Sequence, residues 1–441
     1  LYGWVVRYFK PLDQEEWRVA LDPASGSVFG FEHVVPEDRP GADLAPEEAR
    51  QVASRYLADA GFDLTRLDLK ETSTEKQKAR RDHTLVWEAR PGDARNLDEA
   101  HFRVTVEIDG DRVSSLQTSW KLPEAFVRQR SQRNALGIVL RCLRLLFLAA
   151  AMVAGLGLLI QRTRKHALRW RPALLVAAPL VLLGLIDSIQ HFHLAFRNYD
   201  TAVPLGTFQA SLVTGIVISL IAAGLGLTGA AGLLVSLQPG ALAVPQTEDR
   251  RKRGLDALCA AVLAVGLAAA ASHLSLFLLD RLHRHALPSV DAPAVFAVPF
   301  PALSAVSGAA SQILFTLTIL ALLVHLAGMF PRLLWPALLL GSAAFVSSQV
   351  HTPTEFAVEY LPLLLAALAL LAFCRWFGQR NHLAYALSLW SLTLGSSAIG
   401  FLRHPAMQIE GSILLVVLAA GVIWAVGPAV WSTGTMGVGK R

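Results

Sequence analysis

The sequence predicts two parts, an α+β domain over residues 1–130 and an all-α bundle over residues 134–432 that crosses a membrane about nine times. Mean hydropathy is +0.44 over 441 residues, which is high for a soluble protein of this length. Residues 1–134 hold 24 of the 34 acidic residues, whereas the rest of the chain is a series of long apolar runs. The first 125 residues instead show short alternating segments separated by turn residues.

The α+β assignment follows from the order of these short segments. A helix is predicted from Pro46 to about Ala60, since acidic residues occupy its first turn and Gly61 ends it. Asp109-Gly110 is predicted to be the tight turn of a hairpin. Strands are predicted at Trp4–Phe9, Trp17–Leu21, Val28–Val34, Leu67–Glu71, His83–Ala89, His101–Ile108 and Arg112–Trp120.

The apolar runs are each long enough to span about 30 Å of hydrocarbon. The fifth run contains Pro299, Pro301 and Gly308, so a break into a re-entrant piece and a full helix is one interpretation of it. Spans are predicted at about 135–160, 172–190, 207–236, 255–279, 296–328, 333–350, 356–376, 382–402 and 411–431.

The basic residues of the loops predict the orientation. Fourteen of them fall in one set of alternating loops and 4 in the other, and the richer set is expected in the cytoplasm. This places the first domain outside and the 433–441 tail inside, although Arg128, Arg130 and Arg133 point mildly the other way. Because the chain opens at Leu1 inside a strand-like run, an anchor or signal is expected upstream of it.

Composition also excludes several functions. The net charge of +10 over residues 135–441 lies in loops between apolar runs, where it faces lipid headgroups, so we expect no nucleic-acid partner. Cys142, Cys259 and Cys374 all lie in apolar stretches, which indicates small buried residues and no disulfide framework. No Walker loop, G-x-S-x-G or H-E-x-x-H motif is present.

Polar residues within or beside spans are the candidates for chemistry. Asp187 and His191 share a helix face, with His193 nearby, and could form a metal or proton site at the membrane edge or simply a polar helix end. His351, Glu355 and Glu359 follow each other at intervals of four, the spacing of one helical stripe. A His with two carboxylates can bind zinc or move protons, although Pro353 is expected to break the helix before Glu355.

The layout resembles a known family. The phrases VRYFKPLDQEEWRVALDPASG, RRDHTLVWEAR, FRVTVEIDGDRVSSLQTSWKLPEAF and, after the second span, FRNYDTAVPLGTF are similar to large bacterial CPBP (CAAX-protease-like) membrane proteins with a PepSY-like outer domain. The resemblance implies a protease-like bundle over roughly residues 255–432. Family members of this type are glutamate-dependent intramembrane proteases with E-E-x-x-x-R, F-x-x-x-H or F-x-H, and H-x-x-x-N/D motifs.

This sequence departs from the family pattern at each chemical position. Where the paired Glu and the Arg are expected it has Ser311, Gln312 and Thr316, and it has Ser347 in place of the first His. Leu389 and Thr393 stand at the third motif. Serine, glutamine and threonine cannot act as a general base near neutral pH. No catalytic residue is therefore expected, and the resemblance implies an enzyme scaffold without its chemistry.

Three functions remain open. The first is a non-catalytic scaffold, assembly or accessory subunit of a complex in the bacterial inner membrane, with lipids and other membrane proteins as partners and no cofactor. The small residues from Ala222 to Gly232 would then face a partner, or else pack within the chain. The second is an active metalloprotease whose zinc lies at His351, Glu355 and Glu359. The third is a permease, against which no inverted repeat is detected.

Overall fold

The structure is a computed structural model, and it describes residues 4–22, 25–131, 135–239, 247–282, 298–347, 350, 353–375, 381–404 and 407–431. The chain divides into two units. The first comprises Leu1–Gln132 together with Ala195–Thr214, and the second comprises Arg133–Leu194 together with Gly215–Arg441. The boundary at residue 132 lies close to the predicted one, but the loop at 195–214 was not predicted to join the first unit.

The first unit contains a seven-stranded antiparallel sheet in the order β1-β2-β3-β7-β6-β5-β4. The predicted strands are confirmed, and β4 continues five residues further than expected. The strands are β1 (Trp4–Phe9), β2 (Glu16–Leu21), β3 (Val28–Val34), β4 (Leu67–Lys76), β5 (Arg81–Ala89), β6 (His101–Asp109) and β7 (Arg112–Lys121).

Helix α1 (Pro46–Asp59) covers one face of this sheet. Ala49, Ala53 and Leu57 recur at intervals of four on its buried side, and all three are fully buried. Strand β6 supplies the opposing layer, because alternate residues from Phe102 to Ile108 point toward the helix and are buried. The helix begins as its sequence predicts, with Pro46 in its first turn. A backbone N–H has no partner within the helix at that position, so proline loses no hydrogen bond there.

The β6–β7 hairpin closes through the predicted Asp109-Gly110 turn. Gly110 adopts φ +67°, a left-handed conformation that costs glycine little and other residues more. A Cβ there would also lie 2.9 Å from the backbone N of Ala42. Two requirements, one local and one tertiary, therefore select glycine at this position.

The second unit is helical, and the described residues include eight helices long and apolar enough to cross a membrane. The predicted membrane class is thereby confirmed by length and composition. A short helix α2 (Glu124–Ser131) precedes them. The others are α3 (Ala135–Arg164), α4 (Trp170–His191), α5 (Leu205–Leu237), α6 (Thr247–Leu282), α7 (Pro301–Met329), α8 (Leu334–Ala344), α9 (Pro353–Phe373), α10 (His382–Leu402) and α11 (Gln408–Trp431).

The difference between nine predicted and eight observed spans lies at residues 333–350. Helix α8 has only 11 residues, about 16 Å at 1.5 Å per residue, and the chain then continues without a helix through Ser347. The predicted break at Pro353 is present, because α9 begins there. Helix α7, by contrast, is continuous from Pro301 to Met329.

Candidate functional site

The segment after α8 is the most unusual part of the described bundle. Phe345, Val346 and Ser347 carry no helix, and Val346 is fully buried. Irregular backbone at membrane depth is tolerated only where protein groups satisfy it, because lipid offers no hydrogen bonds. We call residues 345–347 the broken segment. The side chains that bond to its backbone are therefore candidates for a functional role.

Two charged side chains supply those partners. The guanidinium of Arg144 on α3 donates from Nε to the carbonyl of Ala344 at 2.8 Å and from Nη2 to the carbonyl of Val346 at 2.6 Å. The last carbonyls of a helix lack partners and carry negative partial charge, so a cation is stabilising there. From the other side, the carboxylate of Glu359 accepts the N–H of Ser347 at 2.6 Å.

This arrangement bears on the predicted His351, Glu355 and Glu359 stripe. Glu355 and Glu359 do lie one turn apart on α9, whereas His351 lies outside the described residues. Glu359 accepts a hydrogen bond from the backbone N–H of Ser347. Within the described part of the chain, no three His, Cys, Asp or Glu side chains come together as metal ligands.

The predicted Asp187 and His191 pair forms part of a second polar cluster, the α4–α7 cluster. Ser304 on α7 donates its hydroxyl to Asp187, and Gln190 donates from Nε2 to Asp187 at 2.9 Å and to Ser304 at 2.6 Å. The ring Nδ1 of His191 lies 2.8 Å from the carbonyl of Asp187 and 3.4 Å from its carboxylate. His193 lies in the following 3₁₀ helix, Phe192–Asn198.

A further carboxylate fixes the start of α7. Glu410 on α11 accepts the backbone N–H of Ala302 at 2.8 Å, one of the donors that a helix N-terminus leaves unpaired. The charge also complements the positive end of the helix dipole. Asp187 and Glu410 therefore join α4 and α11 to the same end of α7, and both contribute to the fold of the bundle.

The positions that depart from the family pattern do not form a site. Thr393 donates to the carbonyl of Leu389 one turn earlier at 2.7 Å, which is a contact within α10. In the described structure, no hydrogen bond joins Ser311, Gln312 or Thr316 to one another or to Thr393. Gln312 is exposed on the helix surface. These residue types in this arrangement offer no activated nucleophile or base.

The small residues of α5 pack within the chain. A Cβ at Gly224 would lie 3.6 Å from Val181, and one at Gly232 would lie 3.6 Å from Leu168. Gly229 similarly faces Leu159 at 3.5 Å. Of the two interpretations that the sequence left open, intrachain packing is therefore the one that the structure supports at these glycines.

The loop after α4 is held in the first unit by a buried tyrosine. Tyr199 is 1% exposed, and its ring lies 5.2 Å from Phe9 and 4.7 Å from Phe208, measured between centroids. Its hydroxyl donates to the carbonyl of Val203 at 2.5 Å. Buried tyrosines of this kind combine a large apolar contact with one satisfied polar group.

Arg7 on β1 holds the same loop through its backbone. Its Nη1 donates to the carbonyls of Tyr199 at 2.7 Å, Arg197 at 3.2 Å and Phe196 at 3.3 Å. The guanidinium also pairs with Glu16 on β2, whose side chain is nearly buried. Charge-assisted bonds from one fixed guanidinium orient three successive parts of the loop. We call Arg7 and Tyr199 with their contacts the loop clamp.

The bundle also encloses a large, mainly apolar cavity of about 1050 Å³ that is partly open. We call it the bundle cavity. Apolar side chains from α4, α5, α7, α10 and α11 form most of its wall. A partly open apolar space of this size between membrane helices can admit apolar groups from its surroundings.

Sequence reasoning missed Arg144 and Tyr199. The signal for Arg144 was available, since a charged residue inside a 30-residue apolar helix is costly and usually has a role. Tyr199 carried no comparable signal, because its burial depends on Phe9, which lies 190 residues away in the sequence. No protein-family model, curated protein or solved structure was found to match this chain.

Proposed function

We propose that this chain is a non-catalytic, multi-pass protein of the bacterial cytoplasmic membrane that serves as a scaffold, assembly or accessory subunit of a membrane complex. The observation that carries the proposal is an exposed aromatic patch on the sheet. Trp4, Tyr8 and Trp17 lie on one face of β1 and β2 and are 49%, 63% and 41% exposed. Exposed apolar patches rimmed by polar groups are typical of protein-binding surfaces.

The aromatic patch exists because α1 covers only part of the sheet. The helix packs on β5, β6 and β7, and its Tyr56 reaches β3 through an edge contact with Phe31. Polar groups lie beside Trp17, because His33 stacks on it with ring centroids 3.7 Å apart and bonds Glu15 at 2.8 Å. Arg39 and then His33 hold the pKa of Glu15 below its usual range through hydrogen bonds to its carboxylate.

The absence of catalysis is supported by what the membrane carboxylates contact. Glu359 and Glu410 each accept a backbone N–H of a different segment, and Asp187 accepts from Ser304 and Gln190. A general base must instead be within reach of a substrate proton. The resemblance to CPBP proteases, with a PepSY-like domain in front, then describes the ancestry of the scaffold.

The proposed orientation has the sheet outside and the C-terminus in the cytoplasm. Two helices, α3 and α4, separate the sheet from the loop at 195–214, so an even number of crossings returns the chain to the side where the two pack together. The sheet and the C-terminus lie on opposite sides only if the number of crossings is odd. The eight long helices therefore need one further crossing, which α8 and the broken segment would form together. Val346 and Val350 pack with Leu140, near the start of α3, which supports that count.

The first test is recovery of a partner. We expect the full chain, cross-linked in its native membrane and extracted in mild detergent, to co-purify with other membrane proteins. The double variant W4S and Y8S should weaken that association by roughly 30-fold or more, the effect of removing an interface aromatic worth about 2 kcal/mol. Leu97, which is 61% exposed in the same unit, provides the control L97S. A lone monodisperse wild-type chain, or a double variant that keeps its partner, would refute the proposal.

The second test separates the scaffold from the displaced metalloprotease. Glu359→Gln keeps an oxygen that can accept the Ser347 N–H, so we expect a loss of at most about 1 kcal/mol in unfolding free energy. Partner recovery should not change. The metalloprotease hypothesis predicts stoichiometric zinc in the wild type and a proteolytic activity that this substitution abolishes. Zinc analysis of the purified chain, together with cleavage of a membrane-protein substrate mixture, distinguishes the two.

A further inference from the structure

The bundle cavity has polar groups concentrated at one end. Gln238, Arg375 and His382 lie there, at the ends of α5 and α9 and the start of α10, together with Pro331 at the end of α7. Ala310, Trp390 and Gly421 lie deeper, toward the middle of α7, α10 and α11. The bundle cavity is therefore amphipathic along its length, and its polar end adjoins loops that are rich in basic residues.

Among the residues described at this end, Arg375 supplies the charge. Arg375, which is exposed, and His382 line the mouth, and Arg332 follows directly on Pro331. Among the described residues that line the bundle cavity, none is an aspartate or a glutamate. A headgroup bound at the mouth is therefore favoured if it is anionic, since guanidinium groups bind phosphate oxygens strongly.

Deeper in the bundle cavity one polar atom lacks a partner. The indole Nε1 of Trp390 is buried and has no hydrogen-bond partner within the described part of the chain. Buried indole N–H groups normally find an acceptor. Here the Nε1 atom lies against Gly421, where a Cβ would stand 2.5 Å from it, so α10 and α11 pack closely at this depth of the bundle cavity.

We propose that the bundle cavity binds one anionic glycerophospholipid from the surrounding bilayer. Its phosphate lies at Arg375 and His382, its ester region passes Tyr385, and its acyl chain fills the apolar wall beside Leu317 and Leu387. The bilayer supplies this ligand at high concentration, and the partly open wall gives it a route. Neutral phospholipids fit the apolar wall equally well but leave the basic mouth without a counter-charge.

The experiment uses the full chain, purified in mild detergent and reconstituted into vesicles of phosphatidylcholine with a photoactivatable phosphatidylglycerol. We expect labelling, mapped by mass spectrometry, to concentrate in residues 310–334 and 382–390. Native mass spectrometry should show one retained phosphatidylglycerol per chain. Arg375→Gln should reduce the preference for phosphatidylglycerol over phosphatidylcholine roughly fivefold, the effect of losing one basic contact with an anionic headgroup.

Two controls keep the test specific. Arg164→Gln removes an exposed basic residue at the end of α3 that does not line the bundle cavity, and it should leave the preference unchanged. Ala386→Phe fills the bundle cavity and should abolish retention, whereas Ala150→Phe on the exposed face of α3 should not. Thermal unfolding checks that each variant folds. If Ala386→Phe does not fold, the lipid preference of Arg375→Gln alone tests the proposal. Labelling spread over all exposed helices, or equal retention by Arg375→Gln and Arg164→Gln, would overturn the proposal.

Discussion

Replacing Arg144 with Met is expected to lower the free energy of unfolding by about 3–6 kcal/mol. The substitution keeps the apolar stem of the side chain but removes two charge-assisted hydrogen bonds, each worth about 1.5–3 kcal/mol. The carbonyls of Ala344 and Val346 then lose this donor, and both residues are buried away from water. Reversible unfolding in mixed micelles measures the loss, and limited proteolysis after residue 344 locates it.

The neighbouring Arg141 provides the matched control for Arg144. It lies one turn earlier on α3 with its side chain exposed, so Arg141→Met should change the stability by no more than about 0.5 kcal/mol. Arg144→Lys retains the charge without the planar fork and should give an intermediate loss. If Arg144→Met proves no more costly than Arg141→Met, the broken segment does not depend on this cation.

Tyr199→Ala is expected to release the loop at 195–204 from the sheet. Removing a fully buried aromatic ring costs about 3–5 kcal/mol, and here the ring packs between Phe9 and Phe208. The loop clamp would then keep only its backbone bonds to Arg7. Amide hydrogen exchange measures this directly, with faster exchange expected in residues 195–204 and in β1.

Tyr199→Phe separates the ring from its hydroxyl. This variant keeps the packing and loses only the bond to the carbonyl of Val203, so a loss of about 1 kcal/mol is expected. Exchange in β1 should remain close to that of the wild type. Equal acceleration by the phenylalanine and alanine variants would show that the hydroxyl, and not ring packing, holds the loop.

Several charged side chains of this protein make the same kind of contact. Arg144, Glu359 and Glu410 each bond to backbone atoms of another segment, as Arg7 does outside the bundle. A charge used in this way satisfies backbone groups that lipid cannot. We propose the aromatic patch as the surface for a protein partner and the bundle cavity as the site for a lipid.

Much of the first unit was predictable because its signals are local. The pattern of residues 101–108 alternates at period two, and Asp109-Gly110 favours a tight turn, so β6 and β7 were predicted to within a residue or two. Strand β4 was predicted to end too early. Residues 72–76 are polar and lack alternation, and their extended form depends on backbone pairing with β5, from Thr72 with Leu85 to Lys76 with Arg81.

The candidate site was less predictable, because its contacts join residues that are far apart in the sequence. Asp187 and His191 share a helix face, so the sequence brought them together, but Ser304 lies 117 residues beyond Asp187 and only helix packing makes it a partner. The spacing of Glu355 and Glu359 predicted a shared stripe without indicating that Glu359 turns toward Ser347. The sequence predicted about nine crossings, including one over residues 333–350, because hydropathy measures composition and not backbone hydrogen bonding.

The sequence by itself determined the class of this protein, an antiparallel α+β unit followed by membrane helices, because hydrophobic periodicity and run length are properties of consecutive residues. The tertiary structure alone decided that β3 pairs with β7, that the loop at 195–214 joins the first unit, and that residues 345–347 are irregular. Each depends on contacts between residues far apart in the chain, whose free energy exceeds any local preference.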